Sequence, residues 1–457
     1  MSTLTAREEA KTRGPDVAKG YPLVGVLPHI WRDPLGYFVK LSRDSGELVE
    51  FRVGPQRLLF LNHPRHVKHV LQDNHQAYRK SDFYKVLRPL FGAGLLLAEG
   101  EPWLAQRRIA LPAFQGPCLR ALVGTMDRAI GDMLMRWDSQ PNPDDPVEIN
   151  REMTRLTLDV LLRTLFGTTA AGMSDDIYTE LTTVLRHAER RVWSLVPVPE
   201  WLPTRENRAA AQALHKLEDI VWRMIEGQWS ATPEEGDLLS RFLEAYAGDR
   251  RLLRDEVISM MMAGHETTAN ALTWTWLTLS QRPDVVERIR AEVAREGGRL
   301  DDLDAIGRLR FTRAVVEEVM RLNPPVWTIS RTASCDDQFD GVAIRAGTTV
   351  TMCAYALHRN PRFWPDPDDF VPQRFLEEQA THMRYAYFPF GGGPRICLGM
   401  RFALTEAVLA VARVLESFSL ELLPGQSAEP EPMITLRPRH RVMMMVRRRS
   451  APLKMAV

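Results

Sequence analysis

Residues Phe390–Gly399 read FGGGPRICLG, three glycines, a proline and an arginine leading to a single cysteine. The following LGMRFALTEAVLAVARVL sets apolar side chains at helical spacing, so Cys397 falls at or just before a helix N-terminus. Unpaired amides and the positive end of the helix dipole favour an anion there. A thiol in that field is expected to have a lowered pKa, and thiolate is the form that binds metals. The glycines would let the backbone run close to something flat and bulky. Arg395 supplies a fixed cation suited to a carboxylate.

Taken alone, Cys397 would be a small buried hydrophobe. The decapeptide as a whole describes a thiolate axial ligand of haem, with Arg395 placed to clamp a propionate. A phosphate loop is excluded, because neither GGGPRI nor GAGLLL (from Gly92) completes G-x-G-x-x-G.

The bulk composition is that of an ordinary soluble protein, with 45% hydrophobic and 26% charged among 457 residues. Lys plus Arg (59) nearly balances Asp plus Glu (58), so nothing calls for nucleic acid as a partner. The start, MSTLTAREEAKTRGPDVAKG, has no apolar core of a signal peptide, and no stretch is long enough for a membrane anchor. Cys118, Cys335, Cys353 and Cys397 show no tight spacing, which disfavours disulfides and zinc and points to the cytoplasm.

LVEFRV and RLLFLN around GPQ predict a β-hairpin over Leu48–Asn62, and FDGVAIRAGTTVTM predicts a second β region. ITLRP and RVMMMV predict strand near the end, and long helical patterns such as REMTRLTLDVLLRTLFG lie between. The expected fold class is mainly α with small β-sheets (α+β). Residues 1–19 are expected to form a flexible tail, and 20–457 one interleaved domain.

The segment RDEVISMMMAGHETTANALTWTWLTL predicts a long helix with Asp255 as its N-cap. Its centre, AGHETT, is a poor helix former, so something other than helix stability selects it. A hydroxyl there can bond the backbone a turn earlier or open a bulge, and Gly264 would admit a planar ligand. The bland alternative is a groove-packing glycine beside a solvated Glu266. His265–Glu266 does not complete H-E-x-x-H, because the fifth position is Ala269.

The decapeptide resembles the haem-binding signature of the cytochrome P450 superfamily, F-x-x-G-x-R-x-C-x-G, at Phe390, Gly393, Arg395, Cys397 and Gly399. Ala263, Gly264, Glu266 and Thr267 resemble its A-G-x-E/D-T motif. The resemblance implies that Thr267 bonds bound dioxygen and that Glu266 relays protons. In VVEEVMRLNPPVWTISR, Glu318 and Arg321 would otherwise be an exposed ion pair of little weight. Here they resemble the family's ExxR helix, which with Arg374 implies a buried structural network holding the cysteine loop. Arg331, and Trp103 and Arg107 in a W-x-x-x-R pattern, match propionate contacts, although Trp103 and Arg107 alone would be a surface cation–π pair.

The motifs run in family order from Trp103 to Gly399. They imply a haem-thiolate monooxygenase holding haem b between the long central helix and the cysteine helix, and using O2. NAD(P)H would act indirectly, through separate ferredoxin and ferredoxin reductase or flavodoxin partners. Arg107, Arg108 and Arg401 form a candidate docking face. By position, Phe83, Leu87, Phe91, Met260, Ala263, Val326, Trp327, Ile329, Met433 and Ile434 would line a pocket for a small apolar substrate. Fatty acids, terpenoids, steroids and macrolide-like compounds all suit that list, and the expected state is a monomer of bacterial type. Two rivals stay open: a peroxide-driven or isomerising haem-thiolate enzyme, and a non-catalytic haem protein that binds a ligand.

Overall fold

The computed structural model describes residues 14–167, 174–192, 198–229, 238–297, 300–376 and 384–449. Its contacts divide the chain into two compact units, each discontinuous in sequence.

The first unit comprises Met1–Asp82, Thr328–Pro365 and His382–Arg395. The predicted hairpin is present as antiparallel Leu48–Val53 and Gln56–Leu61, in register from Leu48↔Leu61 to Val53↔Gln56. It belongs to a six-stranded sheet in the order 16–17, 48–53, 56–61, 349–353, 328–333 and 78–80. Asp16–Val17 already pair in parallel with Val49 and Glu50, so ordered pairing begins inside the stretch expected as tail. The second predicted β region supplies Thr349–Cys353 to this sheet and a separate hairpin, Asp337–Phe339 with Val342–Ile344.

The second unit comprises Phe83–Trp327, Asp366–Thr381 and Ile396–Val457, and carries most of the helices. At its centre lies the long helix Arg250–Leu279, buried on nearly every side as an all-round core helix must be. Past its first turn, Ala263 is the only exposed residue of this helix. Its N-cap is Asp249, whose side chain accepts from the Leu252 amide, and not Asp255. The polar look of RRLLR hid the first turn. Asp255 is buried one turn further in, accepting from the Ala93 amide (2.8 Å) and from Arg254 (2.6 Å). Those bonds tie the segment after Phe91 to the long helix. No described helix is long and apolar enough to cross a membrane.

The helix Ile149–Leu165 packs along the long helix, and its Thr157 hydroxyl donates to the His265 carbonyl at 2.9 Å. A Cβ on Gly264 would lie 2.1 Å from Leu161 Cδ1. The glycine therefore admits a neighbouring helix, which corrects the expectation that it clears space for a flat ligand.

Glu318 and Arg321, on the helix Arg310–Leu322, are both wholly buried rather than exposed. The guanidinium grips both carboxylate oxygens, at 2.7 and 2.8 Å, and donates to the Pro367 and Asp369 carbonyls at 2.6 and 2.9 Å. Glu318 also accepts from the Val371 amide at 2.8 Å. Arg374 joins as expected, with Nε 3.4 Å from Glu318 and a bond to the Asp366 carbonyl. These bonds to the backbone end on segment 366–374, which the network shapes.

Two stability predictions follow from these contacts. Glu318→Ala leaves a buried cation without its partner, and should cost about 3–5 kcal/mol, read as a lower urea midpoint. The double variant Glu318→Ala, Arg321→Met should recover part of that loss. Gly264→Ala should cost roughly 1–3 kcal/mol by overpacking, and much less in a Leu161→Val background. Equal costs in both backgrounds would disprove the assigned contact.

Candidate active site around Cys397 and the long helix

The residues of the cysteine motif lie in both units. Phe390 and Arg395 belong to the first, where both are half-buried, and Arg395 ends the 3-10 turn Gly393–Arg395. Two of the three glycines here are packed against the chain itself. A Cβ on Gly392 would fall 2.1 Å from the Tyr385 ring, and one on Gly393 (φ +63°) 1.8 Å from the Leu71 carbonyl oxygen. The Tyr385 hydroxyl accepts from the Gly393 amide and donates to Gln72, each at 2.9 Å. Protein–protein packing thus explains these two glycines. Arg331, on the strand Thr328–Ala333 of the same unit, is buried and donates to the Ser330 carbonyl at 3.0 Å.

Cys397 belongs to the second unit, two residues before Gly399, the N-cap of the helix Met400–Ser417. The residue is accessible, although the helix it precedes is mostly core. Its thiol is raised from the ordinary value, not lowered. Depth among protein atoms is the largest cause, and the Gly399 amide and the Arg107 guanidinium pull the other way. The helix-start field alone therefore does not produce the thiolate. A coordinated metal would, because it deprotonates a thiol outright.

Arg107, on the helix Gly100–Ala110, donates to the Ile396 carbonyl at 3.1 Å and lies 5.8 Å from the Trp103 ring centre. That contact braces the residue next to the sulfur. It also commits Arg107, so only Arg108 and Arg401 of the candidate docking face are exposed.

Across the centre of the long helix, the hydroxyls turn inward. Thr267 donates to the Ala263 carbonyl at 2.9 Å and Thr268 to Gly264 at 3.2 Å, and the helix continues without a bulge. Glu266 is half-buried, but its carboxyl is enclosed, and burial raises its pKa while Thr435 and Arg437 oppose the rise. Its Oε1 accepts from the Thr435 hydroxyl at 2.7 Å. The solvated glutamate of the bland alternative is not what the chain builds.

Of the substrate-lining candidates, Leu87, Phe91, Met260, Trp327, Ile329 and Met433 are buried. Phe83, Val326 and Ile434 are half-buried, and Ala263 is open. Trp327 is fixed by its indole N–H on the Met433 carbonyl at 2.7 Å, which brings the Pro-Pro turn and the last β turn together. Ile329 lies in the first unit and the others in the second.

Three features had no sequence signal. Thr435 meets Glu266 across 169 positions. His265 is fully buried with Nε2 unpartnered. Glu406, on the cysteine helix, is enclosed with neither oxygen partnered, and its carboxyl is held well above the ordinary range. In the first unit Glu47, His66 and Asp340 approach one another, but Arg65 already pairs with both acids.

An accessible sulfur before a buried helix, braced by Arg107 and Trp103, fits a thiolate-ligated haem. So does the single opening at Ala263 on a helix that carries an acid and an alcohol. The family model for cytochrome P450 matches residues 15–445. Cytochrome P450 132 of Mycobacterium tuberculosis is 34% identical, over 98% of this chain and 96% of its own length. Two Streptomyces melanosporofaciens enzymes are also similar. Cyclooctatin synthase is 32% identical over 91% of this chain and 92% of its own, and cyclooctat-9-en-7-ol 5-monooxygenase is 34% identical over 88% and 89%. The chain belongs to the cytochrome P450 family, as a haem-thiolate monooxygenase that uses O2 and reducing equivalents.

Proposed function

We propose that the protein inserts one atom of O2 into a small, mainly apolar organic substrate, by hydroxylation or epoxidation, with haem b as its cofactor. The observation that carries this reading is that one unit holds both an accessible Cys397 and a long helix with Glu266 and Thr267 beside an exposed Ala263. Bound haem supplies an iron whose thiolate ligand pushes electron density toward O–O cleavage. The rest is the work of the chain.

Cys397 would supply the sulfur ligand to the haem iron, with the Gly399 amide beside its thiol and the Arg107 bond to Ile396 bracing the neighbouring residue. Trp103, Arg107, Arg331 and Arg395 are assigned to the propionates, and Phe390 to the haem site. The Thr267 hydroxyl now spends its hydrogen on the Ala263 carbonyl, so it presents a lone pair. To donate toward oxygen, the O–H must turn away from that carbonyl. Glu266, enclosed and raised in pKa, is suited to hold a proton and release it.

Electrons would come from NAD(P)H through a ferredoxin reductase and ferredoxin, or through a flavodoxin. Arg108 and Arg401 are the exposed cations available to an acidic partner, and the electron-transfer rate should fall as salt rises. The apolar candidates around the fixed Trp327 suit a compact substrate. A cyclic alkenol of the kind named for the Streptomyces relative heads the list for a spin-state binding screen, ahead of fatty acids, steroids and macrolides.

The decisive experiment is the spectrum of the reduced protein with carbon monoxide. A strongly red-shifted Soret band is expected, and Cys397→Ala should lose it. A band typical of imidazole or protonated thiol ligation would contradict the assignment. Thr267→Ala should divert NAD(P)H to hydrogen peroxide and lower product formation by about 10-fold or more. Fully coupled turnover in that variant would remove Thr267 from the relay.

A further inference from the structure

Behind Glu266, within the second unit, lies a polar cavity of about 30 Å³, room for one or two waters. Thr154, Tyr178, Thr182, His265, Glu266 and Arg437 are among its walls. His265 indicates what fills it. Its Nδ1 is 2.6 Å from the Met261 carbonyl, which can only accept, so the ring hydrogen is on Nδ1 and Nε2 is a lone-pair acceptor. Burial keeps the ring neutral by moving its pKa down to about 4. Nε2 is buried and no group among the described residues donates to it. A buried acceptor beside a polar cavity is satisfied by water.

The other side of Glu266 is directional. Asn270 Nδ2 donates to Thr435 Oγ1 at 3.1 Å, which leaves the threonine hydrogen for Glu266 Oε1 at 2.7 Å. One carboxyl oxygen is thus held, and no hydrogen bond from the described residues ends on Oε2. At the outer end, Arg437 pairs with Glu431 at 2.9 Å and lies within electrostatic reach of both Glu266 and Glu189. Glu189 is half-buried, and burial beside Glu431 raises its carboxyl to about 7, where it exchanges protons near neutrality.

We propose that this cavity is the proton inlet to Glu266, with water in it serving Oε2 and Thr435 acting as the positioning residue that holds Oε1. The inference rests on the reading of Glu266 as a proton relay. Each proton that Glu266 gives up toward Thr267 is replaced by one from the cavity water, which draws in turn on bulk solvent. The protein's own proton count is unchanged after each passage. His265 takes part as an acceptor that orders the water and carries no proton itself.

The test uses the holoenzyme and infrared difference spectra between acidic and alkaline buffer. The carboxyl stretch of Glu266 is identified by its loss in Glu266→Gln. In Thr435→Val that band should move to higher frequency, because the carbonyl loses a hydrogen bond. Thr182→Met places bulk in the cavity. It should slow deuterium uptake by the Glu266 carboxyl several-fold and raise the solvent isotope effect on turnover. Thr154→Leu serves the same purpose should Thr182→Met not fold.

Wild-type deuterium uptake in the folded cavity-filling variants would overturn the inlet, and an unmoved band in Thr435→Val would overturn the positioning role. Deuterium uptake needs no turnover, which separates this inference from the relay reading. Slowed uptake with unaltered coupling and isotope effect would support the inlet while contradicting Glu266 as the relay.

Discussion

The ion pair between Glu318 and Arg321 fixes a part of the chain that has little regular structure of its own. Both residues are completely buried, so each charge has lost its water and must be repaid with hydrogen bonds. Three backbone groups that repay them lie in the stretch from Pro367 to Val371, and Arg374 adds a cation beside Glu318. An arginine fork is suited to this, since its planar donors meet a carboxylate and two carbonyls at once. The segment cannot shift without stranding a charge, and that constraint holds its irregular backbone in one arrangement.

The long helix applies the same rule to other groups, with different outcomes. Arg254 and Asp255 are buried and pair with each other. Glu256, the next residue, has no cation, and burial pushes its carboxyl up to about 7. Glu266 lies between these cases, because Thr435 and Arg437 offset part of the cost of burying its charge. A buried carboxyl whose rise is opposed by a hydroxyl and a cation suits the proton exchange proposed for Glu266. Glu406, enclosed with no partner among the described residues, is the opposite extreme, and burial holds its carboxyl well above the ordinary range.

Much of this was legible in the sequence where the signal is local. The hairpin Leu48–Leu61, the long helix and the start of the cysteine helix follow from periodicity and turn residues, and the motif spacing singled out Cys397, Glu266 and Glu318 as candidates. What sequence reasoning missed is tertiary. The true N-cap is Asp249 because a polar first turn still packs as helix. The thiol is raised because depth outweighs the helix-start field, a balance that no heptad or motif encodes. Thr435 is an unremarked hydroxyl in PMITLRP, and its importance comes only from a contact 169 positions away.

The glycines make the same point from the other direction. A glycine-rich loop beside a cysteine invites the idea of room left for a flat cofactor, yet Gly392, Gly393 and Gly264 are each filled by the chain's own atoms: Tyr385, the Leu71 carbonyl and Leu161. Their absent side chains let backbone and helices approach to distances that any Cβ would forbid. That closeness sets the positions of Tyr385 and of the long helix. What remains accessible is then decided by elimination, and on the long helix past its first turn it is Ala263 alone. Gly264, Gly392 and Gly393 therefore do structural work, while Cys397 and Ala263 are left accessible.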